Sequence, residues 1–342
     1  MDIKGIFIRV DASVEIGTGH VMRCLTYAHE QKKNGSVVVF ICRKAQGDCI
    51  ELIEQNGFEV HELPSVNTSL WQYTKENWII DANQTIKILE QFEVKRVVID
   101  HYSIDEKWEK MITPFTNEIM VIDDLANRKH YCDILLDQNF YLDMNTRYDG
   151  LVSSDTKLLL GPKYALLREE FKNARQKIKP FSGQVERVFI FFGGSDPTNE
   201  TEKVLRAIKS LIEIYQLKVD VVVGNSNSKK KVIKELCKSI HGVMFHCQVN
   251  NMAELMARAD LAIGAGGAAT WERAYLLLPS IVITVADNQI EIAEGLHKKN
   301  IIFYLGTSFK VTELMIRNSM QQFLSNQSLV TKISDNCLSL FK

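Results

Sequence analysis

Ile6-Phe7-Ile8-Arg9-Val10-Asp11-Ala12-Ser13-Val14-Glu15-Ile16-Gly17-Thr18-Gly19-His20-Val21-Met22-Arg23 is the stretch on which the fold turns. A short apolar run reads as a buried strand, two glycines permit a tight turn, and a helix-period pattern follows from about His20 to Asn34. Strand, glycine loop and helix in that order open a βαβ unit. The same alternation continues outward. Val37–Cys42, Phe58–Leu63, Arg96–Asp100, Ile119–Asp123, Ile134–Asp137 and Leu158–Leu160 are strand candidates with helical segments between them. Such a series predicts a largely parallel sheet covered on both faces.

The alternation breaks over Tyr164–Lys179, which is polar and helix-prone. Pro180-Phe181-Ser182-Gly183 is a breaker cluster and the expected linker. A second series restarts at Arg187–Phe192 and runs through Val219–Val223, Val243–Cys247, Leu261–Gly264, Ile281–Val285 and a short Ile301–Leu305. The tail from Val311 reads as two helices, whose end can pack back on the first domain. The expected architecture is α/β, with two Rossmann-like domains at 1–179 and 184–342 facing across a cleft. In sheets of this kind, ligands sit at the carboxyl ends of the strands.

Composition narrows the function classes. The 342 residues carry a formal net charge of −1, a balance that gives no reason to propose a surface for nucleic acid or anionic lipid. No apolar run reaches the length of a membrane span, and no secretory leader is visible. The seven cysteines lack CxxC or zinc-finger spacing, so reduced structural thiols in the cytoplasm are expected.

A glycine loop after a strand in each half carries the chemistry. In the first, Gly17 and Gly19 precede a helix start whose free N–H groups favour a neutral His20. That ring can take a proton from water. Arg23 shares its face, with Asp11, Glu15 or a substrate oxygen as partner. The alternative is that His20 caps the helix and Arg23 makes a surface ion pair. Met22 stands where the dinucleotide fingerprint needs a third glycine. In the second half, Gly264-Ala265-Gly266-Gly267-Ala268-Ala269-Thr270-Trp271-Glu272 lets backbone amides approach a pyrophosphate, with Glu272 placed for ribose hydroxyls. Close helix–strand packing by small residues is the bland reading.

Phe192-Gly193-Gly194-Ser195-Asp196-Pro197 ends a strand. Asp196 is expected to cap the next helix, with Pro197 at its first position. Asn288, in Asp287-Asn288-Gln289, caps a helix or reaches a sugar. Tyr102, in Asp100-His101-Tyr102, contacts a sugar or packs between domains. Asp123-Asp124 reads as capping and solvated acids rather than a metal site.

These motifs, in this order from residue 9 to about 300, resemble the UDP-2,4-diacetamido-2,4,6-trideoxy-β-L-altropyranose hydrolases of pseudaminic acid biosynthesis. The resemblance is carried by Arg9-Val10-Asp11-Ala12-Ser13, Gly17-Thr18-Gly19-His20-Val21-Met22-Arg23 and Gly264 to Arg273. It implies a GT-B architecture and metal-independent, cofactor-free hydrolysis of a UDP-sugar. His20 would be the base for inverting attack of water at the anomeric carbon. Amides around Gly266 and Gly267 would hold the diphosphate and Glu272 the ribose, with Gly194, Ser195, Ala268 and Thr270 also at the substrate. Tyr102 and Asn288 would line the sugar pocket, with Arg9 and Asp11 near it, and Gly17, Gly19, Arg23 and Gln289 would also bind substrate. A monomer is compatible with this scheme. The rival readings are a GT-B glycosyltransferase, a non-catalytic nucleotide-sugar binding module, and a relative using another UDP-sugar in spore-coat or surface polysaccharide synthesis.

Overall fold

Apolar runs buried on both faces make two parallel sheets. The structure is a computed structural model that describes residues 4–178 and 183–342. Packing divides the chain into Met1–Asn139 with Asp143–Leu166, and Phe140–Leu142 with Leu167–Lys342. The division therefore falls inside the polar segment Tyr164–Lys179, after Leu166, and its helical part joins the second unit. Residues 179–182, including most of the expected linker, lie outside the described residues.

The first unit holds β1 (Gly5–Val10), β2 (Val37–Arg43), β3 (Glu59–Leu63), β4 (Val94–Asp100), β5 (Ile119–Ile122), β6 (Ile134–Asp137) and β7 (Lys157–Leu160). All are parallel, in the order β3-β2-β1-β4-β5-β6-β7. Its helices are α1 (Gly19–Lys33), α2 (Ile50–Gln55), α3 (Leu70–Glu76), α4 (Trp78–Leu89) and α5 (Glu106–Ile112). Every residue of β1 is buried, as a central strand of a covered parallel sheet requires. One face of the sheet packs Ile6, Ile8 and Val10 against Val21, Cys24, Leu25 and Ala28 of α1. The other packs Phe7, Val97, Ile99 and Val121 against Ala82, Leu89 and Trp108.

The second unit opens with α6 (Glu169–Arg175). It then holds β8 (Arg187–Phe191), α7 (Glu200–Tyr215), β9 (Lys218–Val223), α8 (Lys230–Lys238), β10 (Val243–Cys247), α9 (Met252–Ala257), β11 (Leu261–Ala265), α10 (Ala269–Tyr275), β12 (Ser280–Thr284), α11 (Ile290–Lys298) and β13 (Phe303–Thr307). Its sheet order is β10-β9-β8-β11-β12-β13. The tail forms α12 (Glu313–Ser325) and α13 (Gln327–Cys337). Ile316, Met320, Phe323, Val330 and Ile333 of these helices enter the core formed by β8, β9 and β11, so the tail belongs to the second unit.

Both sheets reverse their strand order beside the first strand of the unit, between β1 and β4 and between β8 and β11. Loops diverge at such a point and leave a crevice at the carboxyl ends. No helix among the described residues is long and apolar enough to cross a membrane.

Candidate functional site

In the first unit the crevice lies where Val10 pairs with Asp100. The loop from Asp11 turns at Gly17, whose φ of +76° lies in the region where a side chain is strained. Gly17 N–H donates to Ser13 O at 2.8 Å, and Ser13 Oγ accepts from Ile16 N–H at 3.1 Å. This closes the loop and starts α1 at Gly19. His20, the second helical residue, is buried and does not cap the helix. Its Nδ1 lies 2.6 Å from Asp100 Oδ1.

A carboxylate only accepts hydrogen bonds, so Nδ1 carries the hydrogen in this contact. That leaves Nε2 as the ring nitrogen turned away from the acid. Arg23 completes the group. Its Nε and Nη2 donate to the two Asp100 oxygens at 2.5 and 2.6 Å, and Nη1 donates to Asp124 at 3.0 Å. Burial works to raise the Asp100 carboxyl, but Arg23 and then His20 hold it well below the usual carboxylate range. The His20 ring meets Tyr102 edge-on at 4.5 Å, and Trp71 stacks on Tyr102 with ring centroids 5.2 Å apart. The result is a histidine oriented by a buried acid and flanked by aromatic rings, chemistry that a general base can use.

Several expectations require correction here. Arg23 pairs with Asp100 and Asp124, not with Asp11 or Glu15. Arg9 and Asp11 are enclosed rather than open to a ligand. Arg9 makes a two-pronged contact with Asp11 at 2.5 and 2.9 Å, and Asp81 accepts from Arg9 at 2.8 Å, from Arg43 at 2.7 Å and from Trp108 Nε1 at 3.0 Å. Two guanidinium groups thus neutralise two carboxylates beneath the loop. Burial opposes the Asp11 charge, yet Arg9 and His101 hold its carboxyl far below the usual range. Asp123 is no solvated cap. It is buried and accepts from Ala126 N at 2.9 Å, Arg128 at 2.7 Å and Tyr148 at 3.2 Å. Asp124 belongs to the His20 group through Arg23.

The second unit builds its crevice from backbone. A Cβ on Gly264 would lie 2.4 Å from Phe191 O, and one on Gly224 would lie 2.4 Å from Gly194 O, so both glycines are demanded by close approach. Gly266 and Gly267 lie against Gln289, whose Oε1 accepts from Val285 N at 3.1 Å. Gly267 and Ala268 are at least partly exposed. Thr270, expected at the ligand, is turned inward. It is buried, and its hydroxyl accepts from Arg273 Nη2 at 3.1 Å. Arg273 is buried beneath the same loop and also donates to Ala265 O at 2.7 Å. Burial pulls it down to about 10.

Glu272 is only partly buried, and its Oε1 accepts from Arg168. Gly194, Ser195 and Asn288 are exposed at the same end of the sheet. Asp196 does cap α7, accepting from Glu200 N and Thr201 N at 2.9 Å each. Pro197, however, lies in the turn before that helix rather than at its first position. Asn288 makes no capping bond, and residues Asp287–Gln289 form a 3-10 turn.

Sequence reasoning missed Asp100, Asp124 and Trp71 as parts of the His20 group. Asp100 left one signal, an acid closing an otherwise apolar strand. Trp71 left none, since it comes from a helix about fifty positions away.

Residues 188–338 match the Glycosyltransferase family 28 C-terminal domain. The chain is 28% identical over 300 residues to an uncharacterized protein of Methanocaldococcus jannaschii, covering 86% of this chain and 58% of that one. It thus spans under two thirds of that relative. It is 28% identical to the UDP-2,4-diacetamido-2,4,6-trideoxy-beta-L-altropyranose hydrolase of Campylobacter jejuni, covering 86% of this chain and 96% of the other. It is 23% identical to the spore coat polysaccharide biosynthesis protein SpsG of Bacillus subtilis, covering 95% and 90%. Among solved structures, Acinetobacter baumannii MurG superposes with a TM-score of 0.66 at 12% identity over 98% of this chain and 95% of that one. The calicheamicin glycosyltransferase CalG4 gives 0.62 at 14% identity over 100% and 96%. The fold is therefore that of the GT-B glycosyltransferases, with two parallel-sheet α/β domains.

Proposed function

We propose that this protein hydrolyses a UDP-sugar at the anomeric carbon, with inversion, releasing UDP and the free sugar. The comparisons support the broader class, a GT-B enzyme that handles nucleotide sugars. The observation that carries the finer reading is the His20–Asp100 pair, which leaves Nε2 as the one basic atom of an oriented imidazole. In this reading Nε2 takes a proton from water as water attacks the sugar carbon. The carbon–oxygen bond to the diphosphate breaks, and its electrons leave with UDP. UDP is a good leaving group, so the main demand is stabilisation of charge on the diphosphate. Fixed amides at Gly266, Gly267 and Ala268 meet that demand, with Glu272 on the ribose. Tyr102, Asn288 and Gln289 contact the sugar. No metal or cofactor enters the scheme.

The likeness to the Campylobacter hydrolase supports 2,4-diacetamido-2,4,6-trideoxy-L-altrose as the sugar, in a cytoplasmic pathway to pseudaminic acid. The likeness to the spore coat protein favours a second reading, in which another UDP-sugar serves surface polysaccharide synthesis. The match to a glycosyltransferase domain favours a third, in which Nε2 activates an acceptor hydroxyl. Incubating the purified protein with the UDP-sugar alone in ¹⁸O-water, and following UDP by phosphorus NMR, separates them. Hydrolysis predicts UDP release without acceptor and label in the sugar. Label in UDP, or release only when an acceptor is added, defeats the proposal.

A further inference from the structure

Glu272 stands one turn into α10, directly after the glycine loop, and its environment is unbalanced. One oxygen, Oε1, accepts from both Nε and Nη2 of Arg168, at 3.2 and 3.0 Å. Among the described residues no bond is made to Oε2. Arg168 itself is braced on its other sides. Its guanidinium lies 4.9 Å over the ring of Phe171, which is fully buried in the core that also contains Met256 and Leu276. Its Nη1 meets Glu170 Oε1 at 2.5 Å. Glu170 is held in turn, because its Oε2 accepts from Ala253 N at the start of α9. A planar guanidinium fixed on a ring face and on one edge has a single edge left, and that edge points at Glu272.

The chemistry of the partner follows from the free oxygen. Two adjacent sugar hydroxyls both donate, so they need an ionised carboxylate with an open acceptor oxygen. A protonated Glu272 would itself donate and lose half of that capacity. The charged groups facing Glu272 are Arg168 just before α6, Glu170 within α6, and Arg273 on its own helix. Burial is the largest influence and raises the carboxyl, and Glu170 adds to it. Arg168, and more weakly Arg273, pull the other way, and the balance leaves the carboxyl above its ordinary value.

We propose that Arg168 is a positioning residue for nucleoside diphosphate binding, clamping one oxygen of Glu272 so that the other is presented to the ribose hydroxyls. The proposal rests on the reading of Glu272 as the ribose acceptor, and it adds a residue some hundred positions away in sequence. It also assigns a task to the segment just before α6, which reads from sequence only as polar and helix-prone.

The test uses the full chain, with UDP and 2′-deoxy-UDP as probes in calorimetric titrations between pH 5 and 8. Wild type should favour UDP over 2′-deoxy-UDP, and Glu272→Gln should remove most of that preference. Arg168→Leu should weaken UDP binding by roughly tenfold at neutral pH, the scale of one charge-assisted hydrogen bond. The loss should deepen as pH falls, because Glu272 without its cation takes up a proton at higher pH. Arg168→Lys should restore the wild-type pH dependence but not the full preference for the ribose, since an ammonium keeps the charge and loses the two-point contact. If Arg168→Leu does not fold, the Lys variant alone decides. An undiminished ribose preference together with wild-type affinity then overturns the proposal. Arg168→Leu binding UDP as wild type does, with the same pH profile, overturns it. Tighter binding overturns it too and makes Arg168 a competitor of the ribose. A Glu272→Gln variant that keeps the ribose preference instead defeats the underlying reading of Glu272.

Discussion

The two switch-point crevices share one strand order yet are built by opposite means. In the first unit, charged side chains from β1, α1, β2, β4, α4 and the turn after β5 converge on one end of the sheet. Arg9, Asp11, Arg43, Asp81, Asp100, Arg23 and Asp124 compensate one another there, and His20 is held as part of that group. In the second unit the shape comes from what is missing. Gly224, Gly264 and Gly266 let backbone and neighbouring side chains close in, Gly267 leaves the loop open, and a short contiguous segment carries most of the candidate site. An oriented base needs a fixed ring, and fixing a ring takes partners from several elements. The diphosphate grip proposed for the second crevice needs only amides, which a local loop can supply. The first crevice should therefore be sensitive to loss of charge and the second to added volume.

That contrast yields ordered expectations. His20→Gln should lower turnover by roughly 10²–10⁴-fold, the usual worth of a general base, while UDP affinity measured by titration stays at the wild-type value. A variant that keeps its rate removes His20 from the chemistry. Asp100→Asn leaves Arg23 with Asp124 as its remaining acid and should cost about 3–5 kcal/mol in denaturant unfolding, the penalty for breaking a buried pair. A change near zero would show that the charged group does not hold the first crevice.

Gly264→Ala drives a methyl into Phe191 O and should cost about 1–3 kcal/mol. Gly267→Ala meets only the far end of Gln289 at 3.6 Å. It should stay within about 0.5 kcal/mol of wild type in stability while weakening UDP binding. Equal destabilisation by the two would contradict a loop shaped by close approach at one point and left open at the other.

Asp137 sharpens the comparison through pH. Burial, reinforced by Asp124 and Asp123, pushes its carboxyl up to about 7 against the pull of Asn139 N and Tyr148. Below about pH 4 both folded and unfolded chains hold this proton. Between about 4 and 7 only the folded chain does, so stability falls by about 1.4 kcal/mol per pH unit, and above 7 the penalty is constant. Asp137→Asn should flatten this slope in unfolding titrations from pH 4 to 7. An unchanged slope would mean that Asp137 is ionised at neutral pH.

The central strands could be read from the sequence because burial on both faces makes them apolar runs, and such runs are local, whereas outer strands such as β3 and β10 are only partly buried and carry polar residues. The glycine loops were legible for the same reason, being contiguous. The roles of Arg9, Asp11 and Thr270 were not. Each is a polar residue beside a strand end or loop, and a sequence does not say whether such a residue faces the crevice or the layer beneath it.

What the sequence determined alone was periodicity: two α/β series, their order, and the glycine turns at the first strand of each. Only the tertiary structure decided which charges meet. The contact between His20 and Asp100 spans eighty positions and exists because β4 pairs with β1 so that Asp100 comes level with Val10. Register and helix docking set such encounters, and both depend on packing across the whole sheet rather than on any neighbouring residue.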